Sequence, residues 1–172
     1  MQTRLVRTAG RTAVALAVAA SAALVPAGIA SAAPAAKPGP SACNAGHQHG
    51  TITPRPSTAD VANYTVTVYA DPGTSTCQVG GSPSHLRFSE NGTQVPAEVS
   101  PTGVQNRITF LGDGMPVQFD VHVPQSGDTK PADTITFTPR NSFNDLPVTF
   151  TASGPIQAGP GVTVGPMVTA TH

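Results

Sequence analysis

The strongest chemical accent in this sequence is Gly46-His47-Gln48-His49-Gly50. In an extended segment, residues two apart point the same way, so His47 and His49 would turn both imidazoles to one side. Imidazole is the commonest protein ligand for zinc and copper. Two ligands are not a site, however, because structural zinc takes four protein ligands and catalytic zinc three. A third would have to come from a distant residue such as His85, His122 or His172, and the flanking glycines make ordering the loop costly. The pair is therefore expected to bind Zn²⁺ or Cu²⁺ weakly at most.

Nucleophilic and acid–base chemistry finds less support. Ser, His and Asp are all present, but there is no G-x-S-x-G elbow. Asp120 and His122 would share one strand face, yet residues two apart sit about 6–7 Å apart, too far for a direct dyad. Glu90 and Glu98 could be drawn as a glycosidase pair, but Glu90 flanks a tight turn and the chain has no Trp for sugar stacking. Asp113, Asp128 and Asp133 lie in turn-rich stretches without the D-x-D-x-D-G spacing of a calcium loop. No catalytic residue and no cofactor is expected.

The N-terminus reads as an address. Arg4, Arg7 and Arg11 precede an uncharged Ala/Val/Leu run to Ala33, and Ala30-Ser31-Ala32 supplies the small residues of a cleavage site. This is the pattern of a secretory signal peptide over 1–32. A Pro/Ala/Gly-rich tether and an irregular segment over 33–59 follow, then a domain over 60–172. Without the three leader arginines, six Lys and Arg stand against nine Asp and Glu, a net charge of −3. That balance argues against nucleic acid as a partner. After leader removal no stretch is apolar enough to hold the chain in a membrane. Export into an oxidising compartment makes Cys43 and Cys77, the two cysteines, a disulfide.

Period-two alternation then recurs along the domain. Tyr64, Val66 and Val68 fall on one face of a strand, as do Val117, Phe119, Val121 and Val123, with Gln118, Asp120 and His122 on the other. Shorter strands are expected around Cys77 and Val79, Ile108 and Phe110, Ile135 and Phe137, Val148 and Phe150, and Val162 to Val168. Asn91-Gly92 favours a two-residue type I′ hairpin, which sets Glu90 opposite Thr93, Ser89 opposite Gln94, Phe88 opposite Val95 and Leu86 opposite Ala97. Prolines throughout leave no room for a long helix. About nine short strands predict an all-β, antiparallel Greek-key β-sandwich of immunoglobulin-like arrangement, with a small closed barrel as the alternative.

Thr76-Cys77-Gln78-Val79-Gly80-Gly81-Ser82-Pro83, leading to Leu86-Arg87-Phe88 and the Asn91-Gly92 turn, resembles the bacterial secreted domain of unknown function 4232. There a Cys-x-Leu-x-Gly-x-Pro motif precedes a strand and a Gly turn; here Val79 takes the Leu place. Arg107 to Gly114 is similar to that family's strand and Gly-containing turn, and Val164-Gly165-Pro166 to its C-terminal ending. Many members carry a further cysteine pair in the second half, which this chain lacks. The resemblance implies a secreted or surface-attached β-sandwich and brings no catalytic residues. The leading functional expectation is an extracellular or cell-envelope module, not an enzyme, that binds a protein or glycan. A small metal-handling protein using His47 and His49 ranks second, and a secreted hydrolase third.

Overall fold

A computed structural model describes residues 43–125, 128–141 and 144–171. The expected leader, and the tether as far as residue 42, lie outside the described residues. After a short 3₁₀ turn at Ala45–His47 come strands β1 (Gln48–Arg55), β2 (Val61–Ala70), β3 (Cys77–Gly80), β4 (Ser84–Glu90), β5 (Thr93–Val95), β6 (Val99–Pro101) and β7 (Ile108–Leu111). There follow β8 (Val117–Pro124), β9 (Lys130–Thr138), β10 (Arg140–Asn141), β11 (Asn144–Asp145), β12 (Phe150–Ala158), β13 (Val162–Val164) and β14 (Val168–Thr169). Apart from that 3₁₀ turn, the regular structure of the described residues is all β, as their period-two patterning predicts.

One large sheet runs β5-β4-β9-β12-β1-β2-β8-β13-β6, with β14 added beside β13 along β8. It curls strongly. Four strand steps separate β9 from β8, about 19 Å across a flat sheet, yet the rings of Phe137 and Phe119 lie 5.0 Å apart in a T-shaped contact. The two ends of the sheet are likewise eight steps apart, while only Pro96, Ala97 and Glu98 separate β5 from β6. Four Cα–Cα intervals reach at most about 14 Å, so the ends are drawn together into a seam. Small sheets β3–β7 and β10–β11 complete the fold.

The expected core face of β8 is buried: Val117, Val121 and Val123 are fully enclosed and Phe119 nearly so. Asp120 on the opposite face is exposed, whereas Gln118 and His122 are half-buried. The hairpin register is as the sequence predicts at Phe88–Val95, Ser89–Gln94 and Glu90–Thr93. Asn91 and Gly92 take φ of 49° and 80°, the left-handed pair of a type I′ turn. The turn is pinned from β9, where the Asp133 carboxylate accepts the Asn91 N–H at 2.8 Å. That bond, with a second from the Thr134 hydroxyl, holds the Asp133 carboxyl below its ordinary range.

Two expectations need correction. The stretch 44–59, read as irregular and outside the domain, contains β1, which is inserted between β2 and β12 in the middle of the sheet. The sheet is also mixed rather than antiparallel. β1 takes its direction from its hairpin with β2, and this leaves it parallel to β12, with Gly50 opposite Ala152; β13 and β6 are parallel as well. Gly50 is needed for that insertion, since a Cβ there would stand 2.6 Å from the Ala152 Cβ and 2.9 Å from the Thr151 carbonyl oxygen. Gly50→Ala is expected to cost about 1–3 kcal/mol through overpacking, read as a lowered midpoint of denaturant unfolding.

Cys43 and Cys77 are joined, with their Cα atoms 5.2 Å apart, and both are buried. The bridge ties the start of the described chain to β3. Among the described residues no helix is long and apolar enough to cross a membrane.

Candidate functional site

Among the described residues, two clusters bring a histidine and an aspartate side chain together. The first arises from the β1–β2 pairing, which sets Gln48 opposite Ala70 and His49 opposite Tyr69. One step further out, the Asp71 N–H donates to the His47 carbonyl at 2.9 Å. Strand alternation then places His49, Tyr69 and Asp71 on one outward face. His47 joins them from the 3₁₀ turn, which Asn44 caps by accepting the Gly46 N–H on its side-chain oxygen at 3.0 Å. His49 stacks on Tyr69 with ring centroids 5.4 Å apart and planes 16° from parallel. Its Nδ1 lies 3.3 Å from one oxygen of Asp71, and the Nδ1 of His47 lies 4.0 Å from the other.

The two histidines singled out from the sequence are thus together, and the third group beside them is Asp71. The distant histidines do not join them. His122 Nδ1 lies 2.7 Å from the Asn63 side-chain oxygen across the β2–β8 ladder, His85 belongs to the second cluster, and His172 lies outside the described residues. Sequence reasoning missed Asp71 because it left β1 unassigned. Once β1 is paired with β2, Asp71 necessarily falls beside His47.

The second cluster lines the seam. Ser82, Pro83, Ser84, His85 and Leu86, from β4 and the turn before it, face Ala97, Val99, Pro101 and Arg140 across a cleft of about 390 Å³. Leu86, Ala97 and Val99 pack against the edge of the core. The polar rim is interlocked through Asp145. Ser84 Oγ donates to it at 2.8 Å, His85 Nδ1 lies 3.4 Å away and Arg140 Nε 3.3 Å away. His85 is held at φ 51°, in the left-handed region that non-glycine residues rarely enter. Such outliers cluster at functional sites.

Ser84, His85 and Asp145 superficially make a Ser-His-Asp set, but the geometry differs from that of a triad. There the serine hydroxyl faces Nε2 while the aspartate holds Nδ1. Here Nδ1 faces both Ser84 Oγ, at 3.3 Å, and Asp145. The nearest partner of Ser84 Oγ is the Asp145 carboxylate at 2.8 Å, not the ring. Asp120 and His122 likewise have separate partners: the Thr65 hydroxyl donates to Asp120 at 2.8 Å, while His122 meets Asn63.

Among the other acidic candidates, Asp113 accepts the Gly73 N–H at 3.0 Å and serves a turn. Glu90 and Glu98 are exposed. Asp128 lines a shallow hollow with Lys130, Pro96 and Pro160. Comparison with protein families, curated proteins and solved structures finds no match to this chain.

Proposed function

We propose that this chain is a secreted or cell-envelope, non-catalytic module that binds an extended segment of an extracellular protein in the cleft at the seam of its curled sheet. The observation that carries the reading is the cleft itself, with an apolar wall of Leu86, Ala97 and Val99 and a hydrogen-bonding rim of Ser84, His85, Asp145 and Arg140. Apolar lining with a few fixed polar groups is the ordinary composition of a binding site. Two strands flank the seam. Among the described residues β4 pairs with β5 only from Phe88 to Glu90, and β6 pairs with β13 alone. Added main chain can dock along such strand edges while side chains settle into the cleft.

A glycan ligand is the weaker alternative, because no Phe, Tyr or Trp is among the described residues that line the cleft. The disulfide supports an oxidising location, and the leader pattern and the resemblance to the secreted domain of unknown function 4232 support export. The finer classification as a Greek-key, immunoglobulin-like sandwich belongs to the same proposal. It is supported by the face-to-face meeting of β8 and β9 through Phe119 and Phe137.

Panning a displayed library of unstructured peptides on the disulfide-bonded chain tests the assignment. The expected yield is apolar, extended sequences whose affinity falls at least tenfold in Leu86→Ser and Ala97→Asp variants of unchanged unfolding midpoint. Peptides that bind these variants as well as the wild type, or selective binding of cell-wall glycan fragments instead, would sink it.

A further inference from the structure

The cleft at the seam is bounded at both ends, and the hydrogen bonds at one end support an inference that rests on the reading of the cleft as a binding site. We infer that Gln105 is its positioning residue: the side-chain amide joins the turn before β4 to the chain leaving β6, and so closes that end of the opening. The other end is the hairpin. β4 and β5 pair at Phe88–Val95, and beyond that pair the two chains part around Leu86, Ala97 and Val99. β4 bends over the same stretch, because its register against β9 shifts between Ser84 and Arg87 and such an irregularity kinks a strand.

Ser82 is buried, so its polar groups need partners within the protein. Gln105 supplies them. Its Oε1 accepts the Ser82 N–H at 2.8 Å, while its Nε2 donates to Ser82 Oγ at 2.9 Å and to the Thr102 carbonyl at 2.7 Å, with the Gly103 carbonyl at 3.2 Å. A primary amide offers an acceptor and two donors in one plane, and these neighbours use each of them. Ser82 Oγ donates its own proton to the Val164 carbonyl at 2.8 Å, which ties the turn to β13 as well, and the Thr102 N–H meets that same carbonyl at 2.8 Å. Ser82 and Pro101 both line the cleft, so this network stands at its edge.

A gap held only at its hairpin end is free to gape or to zip shut, whereas fixing the second end sets its width before any ligand arrives. Preorganisation of that kind lowers the ordering cost of binding. It also limits length. Six Cα steps separate Phe88 from Ser82, at most about 20 Å of extended chain, so the opening admits about five extended residues. The bound stretch is therefore short, and its flanks must turn away from the seam. Removing the amide should loosen this end without unfolding the turn, because the Gly81 N–H still meets the Arg107 carbonyl at 3.1 Å and the Met167 N–H the Gly81 carbonyl at 2.8 Å.

Amide hydrogen exchange on the disulfide-bonded chain tests the role of Gln105 without a ligand, in the wild type, Gln105→Ala, Gln105→Glu and an Asn106→Ala control. Glu keeps the acceptor for Ser82 but sets a second oxygen against the Thr102 carbonyl, so both Gln105 variants should behave alike at neutral pH. The expected result is that exchange at Ser82 and at residues 84–87 and 98–100 rises at least ten times more than in β9 and β12, and that the control matches the wild type. Peptides selected on the wild-type chain should bind both variants at least fivefold more weakly, and alanine substitution along such a peptide should confine its affinity to about five consecutive residues. Unchanged exchange around Ser82, a rise by the same factor throughout the molecule, or selected peptides that bind the variants as tightly as the wild type would overturn the role of Gln105. Failure to select any peptide would sink the binding reading of the cleft instead, and the exchange result would still decide whether Gln105 holds its end closed.

Discussion

Replacing Phe137 by Ala is expected to destabilise the fold by about 3–5 kcal/mol, the range for deleting a fully enclosed aromatic ring. Phe137 has no exposed surface. It meets Phe119 of β8 at 5.0 Å and Phe150 of β12 at 5.9 Å, both edge to face. The first contact joins strands four places apart in the sheet, and so holds the curl closed. The second joins hydrogen-bonded neighbours on one wall. Truncation removes both and leaves a void where two walls meet, which the curled backbone cannot readily collapse to fill. Guanidinium unfolding should show a lower midpoint at unchanged slope. Phe110→Ala makes the contrast, because that ring is 45% exposed on β7 and its loss should cost less than about 1 kcal/mol. Equal losses in the two variants would show that the walls do not meet through Phe137.

The second large effect concerns the disulfide. A Cys43→Ala/Cys77→Ala variant is expected to lose about 3–4 kcal/mol, because a bridge closing a loop of 34 residues restricts the unfolded chain to that extent. The consequence is local as well as global. Cys43 immediately precedes the 3₁₀ turn that leads into β1, so the variant frees the approach to a central strand. Amide exchange should therefore rise most in residues 44–50, beyond the general loss of stability. Intact mass after alkylation without reduction provides the chemical check: two alkyl groups on the native protein would mean that the bridge is not formed.

Much of this fold can be read in the sequence where burial is one-sided. Val117, Phe119, Val121 and Val123 alternate with polar residues because β8 has one core face and one outer face, and the period survives in the chain. The Asn91-Gly92 hairpin is legible for a different reason: its left-handed dihedrals demand those residue types. β1 is not legible. Its residues Gln48 to Arg55 include a glycine, a proline and a single buried aliphatic, Ile52, because the strand is held by pairing on both edges rather than by its own apolar face. Of β12 only the start around Phe150 is legible, because Gly154 and Pro155 interrupt the alternation at a register shift within the continuous strand.

The candidate sites follow the same logic. His47 and His49 are visible because a two-residue spacing suffices to place them together. Asp71 depends on the unread β1–β2 pairing. Ser84, His85 and Asp145 depend on contacts about sixty positions apart, which no local pattern encodes.

The parallel seating of β1 against β12 has a further consequence, for the order of assembly. Gly50 pairs with Ala152, so one edge of a strand near the start of the domain has no partner until a strand near its end has been made. A contact spanning that much chain is closed late, and topologies rich in such contacts fold slowly, on the millisecond-to-second scale. The β1–β2 hairpin can form early from its own neighbouring residues. Until β12 arrives it presents the other edge of β1 to any extended chain nearby, and an open strand edge is a template for mispairing. A chain threaded outward from its N-terminus meets that hazard in its most prolonged form, with β1 emerging first and waiting for nearly the whole domain to follow.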